Sequence, residues 1–185
     1  MMRKLLLASA FSVLTLGAAQ AGEQYVDESG YAVSGYDPVA FFDLKQNPVG
    51  ERQPEAVPGK AGITAEYNGA TWVFASEANR EKFLADPEKY VPAYDGHCAY
   101  GVAKDGKVPG NPNLWRIIDG KLYLNITPTV VGFWEADIDG FLESAESKWA
   151  TQEPTPASTR SWKAIKDNDG TYSVDAPLQS PALTN

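Results

Sequence analysis

The chain contains one histidine and one cysteine, and they are neighbours in the run Tyr94-Asp95-Gly96-His97-Cys98. Imidazole nitrogen and thiolate sulfur are the side-chain donors that bind transition metals best, so His97 and Cys98 are the candidate metal ligands, with copper as the candidate ion. Their number limits what they can build. Both methionines stand at the start of the chain, as Met1 and Met2. A closed zinc site takes four Cys or His ligands, and a blue-copper site takes two His and a Cys. One protomer supplies neither set, which leaves the pair together with carboxylates, or a site completed across a homodimer. The other reading of His97 is a side chain that faces solvent.

Cys98 has its own possibilities. With Asp95 as cap of a helix over 96–104, Cys98 falls at the third helical position, where free backbone N–H groups and the helix dipole favour a thiolate. Such a thiol would serve as a ligand or a redox centre. The alternatives are a small buried hydrophobe, since free cysteine is among the most buried residue types, or an intermolecular disulfide. Catalytic constellations are poorly represented. No serine stands in a nucleophile-elbow sequence near the histidine, and no glycine-rich loop has phosphate-cradling spacing. Carboxylate pairs such as Asp137 with Asp139 and Glu143 with Glu146 read as solvated helix faces, so the chain reads as a binder rather than an enzyme.

These residues need elements to hold them. Alternating β-formers flank Asn68-Gly69 within 66–74 and Asp119-Gly120 within 115–125, which predicts two hairpins with type I′ turns joined in one antiparallel sheet. Ser76 is placed to cap a helix whose apolar face is Phe83 with Leu84 and which stops at Pro87; Asp86-Pro87 opens a further helical turn carrying Tyr90. Thr127-Pro128 opens a helix over Val130, Val131 and Trp134, Asp139 recaps it, and Phe141, Leu142, Ala145 and Trp149 recur at helical spacing as a core stripe. Residues 25–34 read as a short edge strand before Phe41 and Phe42 turn inward. The Pro- and Gly-rich stretches 46–62 and 104–113 read as surface loops. Asn125-Ile126-Thr127 matches a glycosylation sequon.

Several of these pieces form a pattern: Gly35-Tyr36-Asp37-Pro38-Val39-Ala40, the run 67–76, Phe83 through Pro87 to Lys89-Tyr90, Cys98-Ala99-Tyr100-Gly101-Val102-Ala103, and Trp115 through Asp119-Gly120 to Asn125. Over roughly 35–149 the chain resembles the YHS domain family in its longer, exported branch. The resemblance implies an α+β fold, a small antiparallel sheet of β-hairpins packed with short helices. It also implies metal binding, with copper as the candidate ion, through cysteines that follow Asp-Pro-Val and that lie in a Phe-Cys-Ser-x-x-Cys segment. This chain has Ala40, Ala75 and Asn79 at those positions, so the resemblance carries the fold further than the metal.

Residues 1–21 combine Arg3 and Lys4, an apolar run over 5–16 and the small-x-small sequence Ala19-Gln20-Ala21, which reads as a secretory signal peptide and predicts a periplasmic or secreted protein. The apolar run is too short for an ordinary membrane span. The formal charge of −8 becomes about −10 once Arg3 and Lys4 leave with the leader. That disfavours nucleic acid and anionic lipid as partners and favours cations or basic proteins. The expected organisation is one YHS-like domain over 22–150, a linker over 151–160, and a C-terminal extension over 161–185 with a third hairpin around Asp169-Gly170 and a disordered end. Three functional readings follow: a metal-associated module using His97 and Cys98, a cysteine-depleted scaffold that binds a protein through its aromatic surface or tail, and a thiol-dependent redox protein.

Overall fold

The computed structural model of the chain describes residues 22–167. The leader sequence, the end at 176–185 and most of the expected third hairpin lie outside the described residues; residues 162–164 form a 3₁₀ turn instead of a strand. The fold is α+β, built on two hairpins. Strand β1 (Lys60–Tyr67) returns through Asn68 and Gly69 into β2 (Ala70–Phe74), and β3 (Asn111–Ile118) returns through Asp119 and Gly120 into β4 (Lys121–Asn125). All four turn residues have positive φ, from 49° to 77°. That is the type I′ geometry whose twist matches paired strands. Register runs from Tyr67↔Ala70 to Thr64↔Val73 in the first hairpin and from Ile118↔Lys121 to Trp115↔Leu124 in the second, with an irregularity toward each open end.

The hairpins do not join into the single sheet expected. Each is its own two-stranded sheet. Other segments lie along the edges of β2 and β4: the Ala32 amide donates to the Thr71 carbonyl, and Cys98 bridges Leu124. The hairpins meet through side chains instead, with Trp72, Phe74 and Phe83 packing in one cluster with Phe41, Trp115, Leu122 and Leu124.

Five α-helices among the described residues complete the fold. Helix α1 (Glu77–Ala85) is capped by Ser76 Oγ, which accepts the Asn79 amide at 3.2 Å, and α2 (Pro87–Tyr90) starts on Pro87 without a side-chain cap from Asp86. Only Phe83 of α1 is buried; Leu84 is 55% exposed, so the expected apolar face is one residue wide. Helix α3 (Ala99–Ala103) is short. Helix α4 (Pro128–Glu135) is capped by Thr127, and α5 (Ile138–Gln152) by Asp137 rather than Asp139. A second core forms where Tyr94, Ala99, Val102, Trp134 and Ala145 meet, with Phe141, Leu142 and Trp149 packed against it.

The connecting segments are tied down. Residues 25–34 form no strand beyond a single bridge between Val26 and Ala32. In the 46–62 stretch, buried Arg116 donates to the carbonyls of Asn47 (3.0 Å) and Pro48 (3.1 Å) and pairs with the buried Glu135 carboxylate, while the Trp115 indole donates to the Pro54 carbonyl at 2.8 Å. Nor does 151–160 behave as a free linker. Lys107 Nζ donates to the carbonyls of Glu153 and Thr155 and the Ser158 amide to His97, and the segment leads to Trp162, 2% exposed, whose indole donates to Ser34 Oγ at 2.9 Å.

Gly120 tests the hairpin geometry cleanly, because nothing lies within 4 Å of where its Cβ would sit. Gly120→Val then costs only backbone strain at positive φ, about 1 kcal/mol or more, read as a lower urea midpoint with unchanged m-value. Unchanged stability would remove the turn assignment.

Candidate functional site

Three consecutive residues with positive φ, Tyr94 (56°), Asp95 (52°) and Gly96 (79°), reverse the chain ahead of His97 and Cys98. This reversal displaces the predicted helix start. Asp95 caps nothing, and α3 begins only at Ala99 with Cys98 itself as the N-cap. His97 and Cys98 are both extended, so successive side chains leave the backbone in opposite directions and enter different surroundings.

His97 is fully buried rather than facing solvent. Its Nδ1 lies 2.9 Å from the Tyr94 carbonyl and its Nε2 accepts the Ser158 amide at 3.1 Å. A carbonyl accepts and an amide donates, so the ring is neutral with its proton on Nδ1. Tyr25 stacks at a tilt, 5.6 Å between ring centroids, and its hydroxyl donates to the Arg160 carbonyl at 3.0 Å. The imidazole therefore joins the amino-terminal segment, the reversal and the carboxy-terminal strap. Burial is the main cause that pushes its pKa down to about 4; the hydrogen bond to Tyr94 opposes that shift, and Lys107 adds to it.

Cys98 is also fully buried. Its Sγ accepts the Gly101 amide at 3.3 Å, and its S–H points to Asn125 Oδ1 at 3.5 Å. Burial pushes the thiol up to about 11 against the lowering effect of the amides at Gly101, Ile126 and Tyr100. The activated thiolate expected at a third helical position is not realised, because desolvation outweighs three partial charges. Asn125 is committed to this contact and to the Tyr100 amide (3.2 Å), and at 2% exposure it is no glycosylation acceptor. An open cavity of about 1180 Å³ lies nearby, framed by the amino-terminal segment, the β1–β2 turn and the strap; neither His97 nor Cys98 lines it.

A second buried polar centre involves the three positions where cysteines were expected. Asp37, with no exposed surface, accepts the amides of Val39 (2.8 Å) and Ala40 (3.2 Å) on Oδ1, and the Ala75 amide (2.8 Å) and Asn79 Nδ2 (2.6 Å) on Oδ2. One carboxylate thus binds the turn after Pro38, the end of β2 and the first turn of α1. The sequence holds a signal for it, since Asp-Pro favours an Asx turn, but the reach to Ala75 and Asn79 is tertiary.

Residues 54–94 match the family model of the YHS domain. The chain contains a YHS domain. No curated protein and no solved structure matches it. The matched segment covers the first hairpin and α1 to the reversal and ends before His97 and Cys98, while Asp37 and Ala40 precede it. The metal that the YHS family implies does not fit the side chains as they stand. Both His97 nitrogens are engaged, Cys98 is protonated and sealed, and no three His, Cys, Asp or Glu side chains among the described residues gather as a metal cage.

Two outcomes follow. The folded pKa of His97 lies below its ordinary 6.5, so the unfolded chain takes up a proton that the folded chain refuses. The stability this group contributes is complete above pH 6.5 and is lost as pH falls toward 4, by about 3 kcal/mol. Urea midpoints across that window should fall in the native protein and fall less in His97→Gln. For Cys98, labelling by a thiol reagent at neutral pH should be far slower than for a free cysteine and should become fast in denaturant. Rapid labelling of folded protein would contradict the sealed thiol.

Proposed function

We propose that the chain is an exported binding module, periplasmic or secreted, in which the YHS fold serves as a scaffold for a protein partner rather than as a holder of metal. The observation that carries this reading is the Asp37 centre. Where the family resemblance expects thiols, Ala40, Ala75 and Asn79 converge on a carboxylate already satisfied by four N–H donors, which leaves no open coordination position. A partner has a surface to meet. Phe133, 49% exposed, lies against the half-buried ring of Tyr100, which in turn packs on Phe141, with Lys104 over both of the latter. Aromatic groups of this kind are enriched in interface cores, and the acidic chain favours a basic partner.

The metal-associated reading, with copper on His97 and Cys98, keeps the family's presumed role as its support. It requires His97 to release the Ser158 amide and Cys98 to lose a proton in a sealed site. Calorimetric titration with Cu(I), Cu(II) and Zn(II) on native and Cys98→Ser protein decides between the two. The scaffold reading expects no saturable binding to either, together with crosslinking to one discrete protein from a photoreactive residue at position 133 in periplasmic extract. Saturable copper binding that disappears in Cys98→Ser would replace the scaffold reading with the metal one.

A further inference from the structure

The amide nitrogen of Gly22 is inside the protein. It donates to Glu153 Oε1 at 3.2 Å, and the Gly22 carbonyl accepts Asn68 Nδ2 at 3.2 Å. Gly22 is buried, and a Cβ at this position would collide with Asp95 Oδ2 and would come within 2.7 Å of Glu153 Cγ. Two carboxylates therefore close on one residue that has to be glycine. Asp95 Oδ2 is itself buried with no hydrogen-bond partner among the described residues. An anionic oxygen left unpaired beside a second carboxylate is costly unless a cation joins them. The residues immediately before Gly22 are Ala19-Gln20-Ala21, the small-x-small pattern of a leader-peptidase site.

We propose that Gly22 is the amino-terminal residue of the functional protein, and that the α-ammonium released by cleavage of the Ala21–Gly22 bond is the missing cation, clamped between Asp95 and Glu153. Cleavage is a hydrolysis: water gives its oxygen to the Ala21 carbonyl, the Gly22 nitrogen leaves as an amine, and the amine takes up a proton at neutral pH. Three N–H donors then replace one, enough for Glu153 and for the orphan oxygen of Asp95. The amino-terminal segment is held to the same residue through its main chain, with the Tyr25 amide and Gln24 Nε2 both donating to the Asp95 carbonyl at 2.8 Å. Processing and folding are thereby linked, because the charge that completes the site exists only after the leader is gone.

Other charges face the same place. Glu23 lies next in the chain, Lys107 reaches across from the loop after α3 to the carbonyls of Glu153 (3.1 Å) and Thr155 (2.7 Å), Lys121 acts on Asp95 from β4, and His97 nearby is neutral. Burial first, and then Glu153, raise the Asp95 carboxyl above its ordinary range, while Lys107 and Lys121 lower it.

The proposal rests on the export reading, and the test separates the two. The full chain is expressed with its leader in a Gram-negative host, and the periplasmic product is sequenced from its amino terminus, unfolded in denaturant, acetylated on the exposed α-amine at a pH where lysines stay protonated, and refolded. The expected product begins at Gly22, and acetylation lowers its melting temperature at pH 7 by roughly 2–4 °C. An amine held by two carboxylates has a pKa above its ordinary value of about 8, so its contribution is complete below pH 8 and is lost as pH rises through the folded value. The acetylation effect should accordingly vanish at alkaline pH, and it should be absent in Glu153→Gln and in Asp95→Asn, either of which suffices if the other fails to fold. A periplasmic product that begins elsewhere, or a Gly22 terminus whose acetylation changes nothing, overturns the clamp while leaving export intact. Protein retained in the cytoplasm with its leader attached overturns both.

Discussion

A carboxylate without access to water has to find its donors within the chain, and Asp37 finds four of them on three separate elements. Removing such a group from solvent is tolerable only when its lone pairs are matched. The turn after Pro38, the residue that follows β2 and the start of α1 are consequently fixed relative to one another before any hydrophobic contact is counted. The aromatic core then fills the space this node defines, with Phe83 against Trp72 and Phe74 at ring separations of 5.1 and 5.2 Å.

His97 plays a matching part on the other side of the fold. Its two nitrogens bond to a carbonyl three residues earlier and to an amide sixty-one residues later, so one neutral ring spans the reversal and the strap. Tyr25 lies against it and reaches Arg160. The two ends of the described chain are thus fastened to the same buried side chain, and 151–160 is part of the domain's support. Desolvation dominates the chemistry here. The same burial that keeps His97 neutral keeps Cys98 protonated, so the only imidazole and the only thiol of the protein have been turned into hydrogen-bonding parts of the interior.

The YHS match and the site therefore point in different directions. Residues 54–94, which match the family model, hold the first hairpin and α1, and in this chain Asp37 ties the two together at a node. What occupies the node is a matter of a few side chains, and here they are a carboxylate, an amide and two alanines, in keeping with the rule that folds are shared while chemistry belongs to sites.

Local events were legible in the residues alone. Asn68-Gly69 and Asp119-Gly120 could only be tight turns because few residues accept positive φ in succession; Ser76 and Thr127 capped helices, and Pro87 and Pro128 opened them, for equally local reasons. Periodicity gave the α5 stripe of Phe141, Leu142, Ala145 and Trp149. The rest depends on contacts between segments far apart in the chain. The hairpins stay separate sheets, with Ala32 on the edge of β2 and Cys98 on the edge of β4, and neither approach has a local signature. The left-handed run at Tyr94, Asp95 and Gly96 moved the start of α3 and converted Cys98 from an activated position to a sealed cap. Burial, which sets the charge of His97 and Cys98, depends on what packs over them from residues 25, 125 and 158, so residue type indicated which atoms could do chemistry and long-range packing determined that they would not.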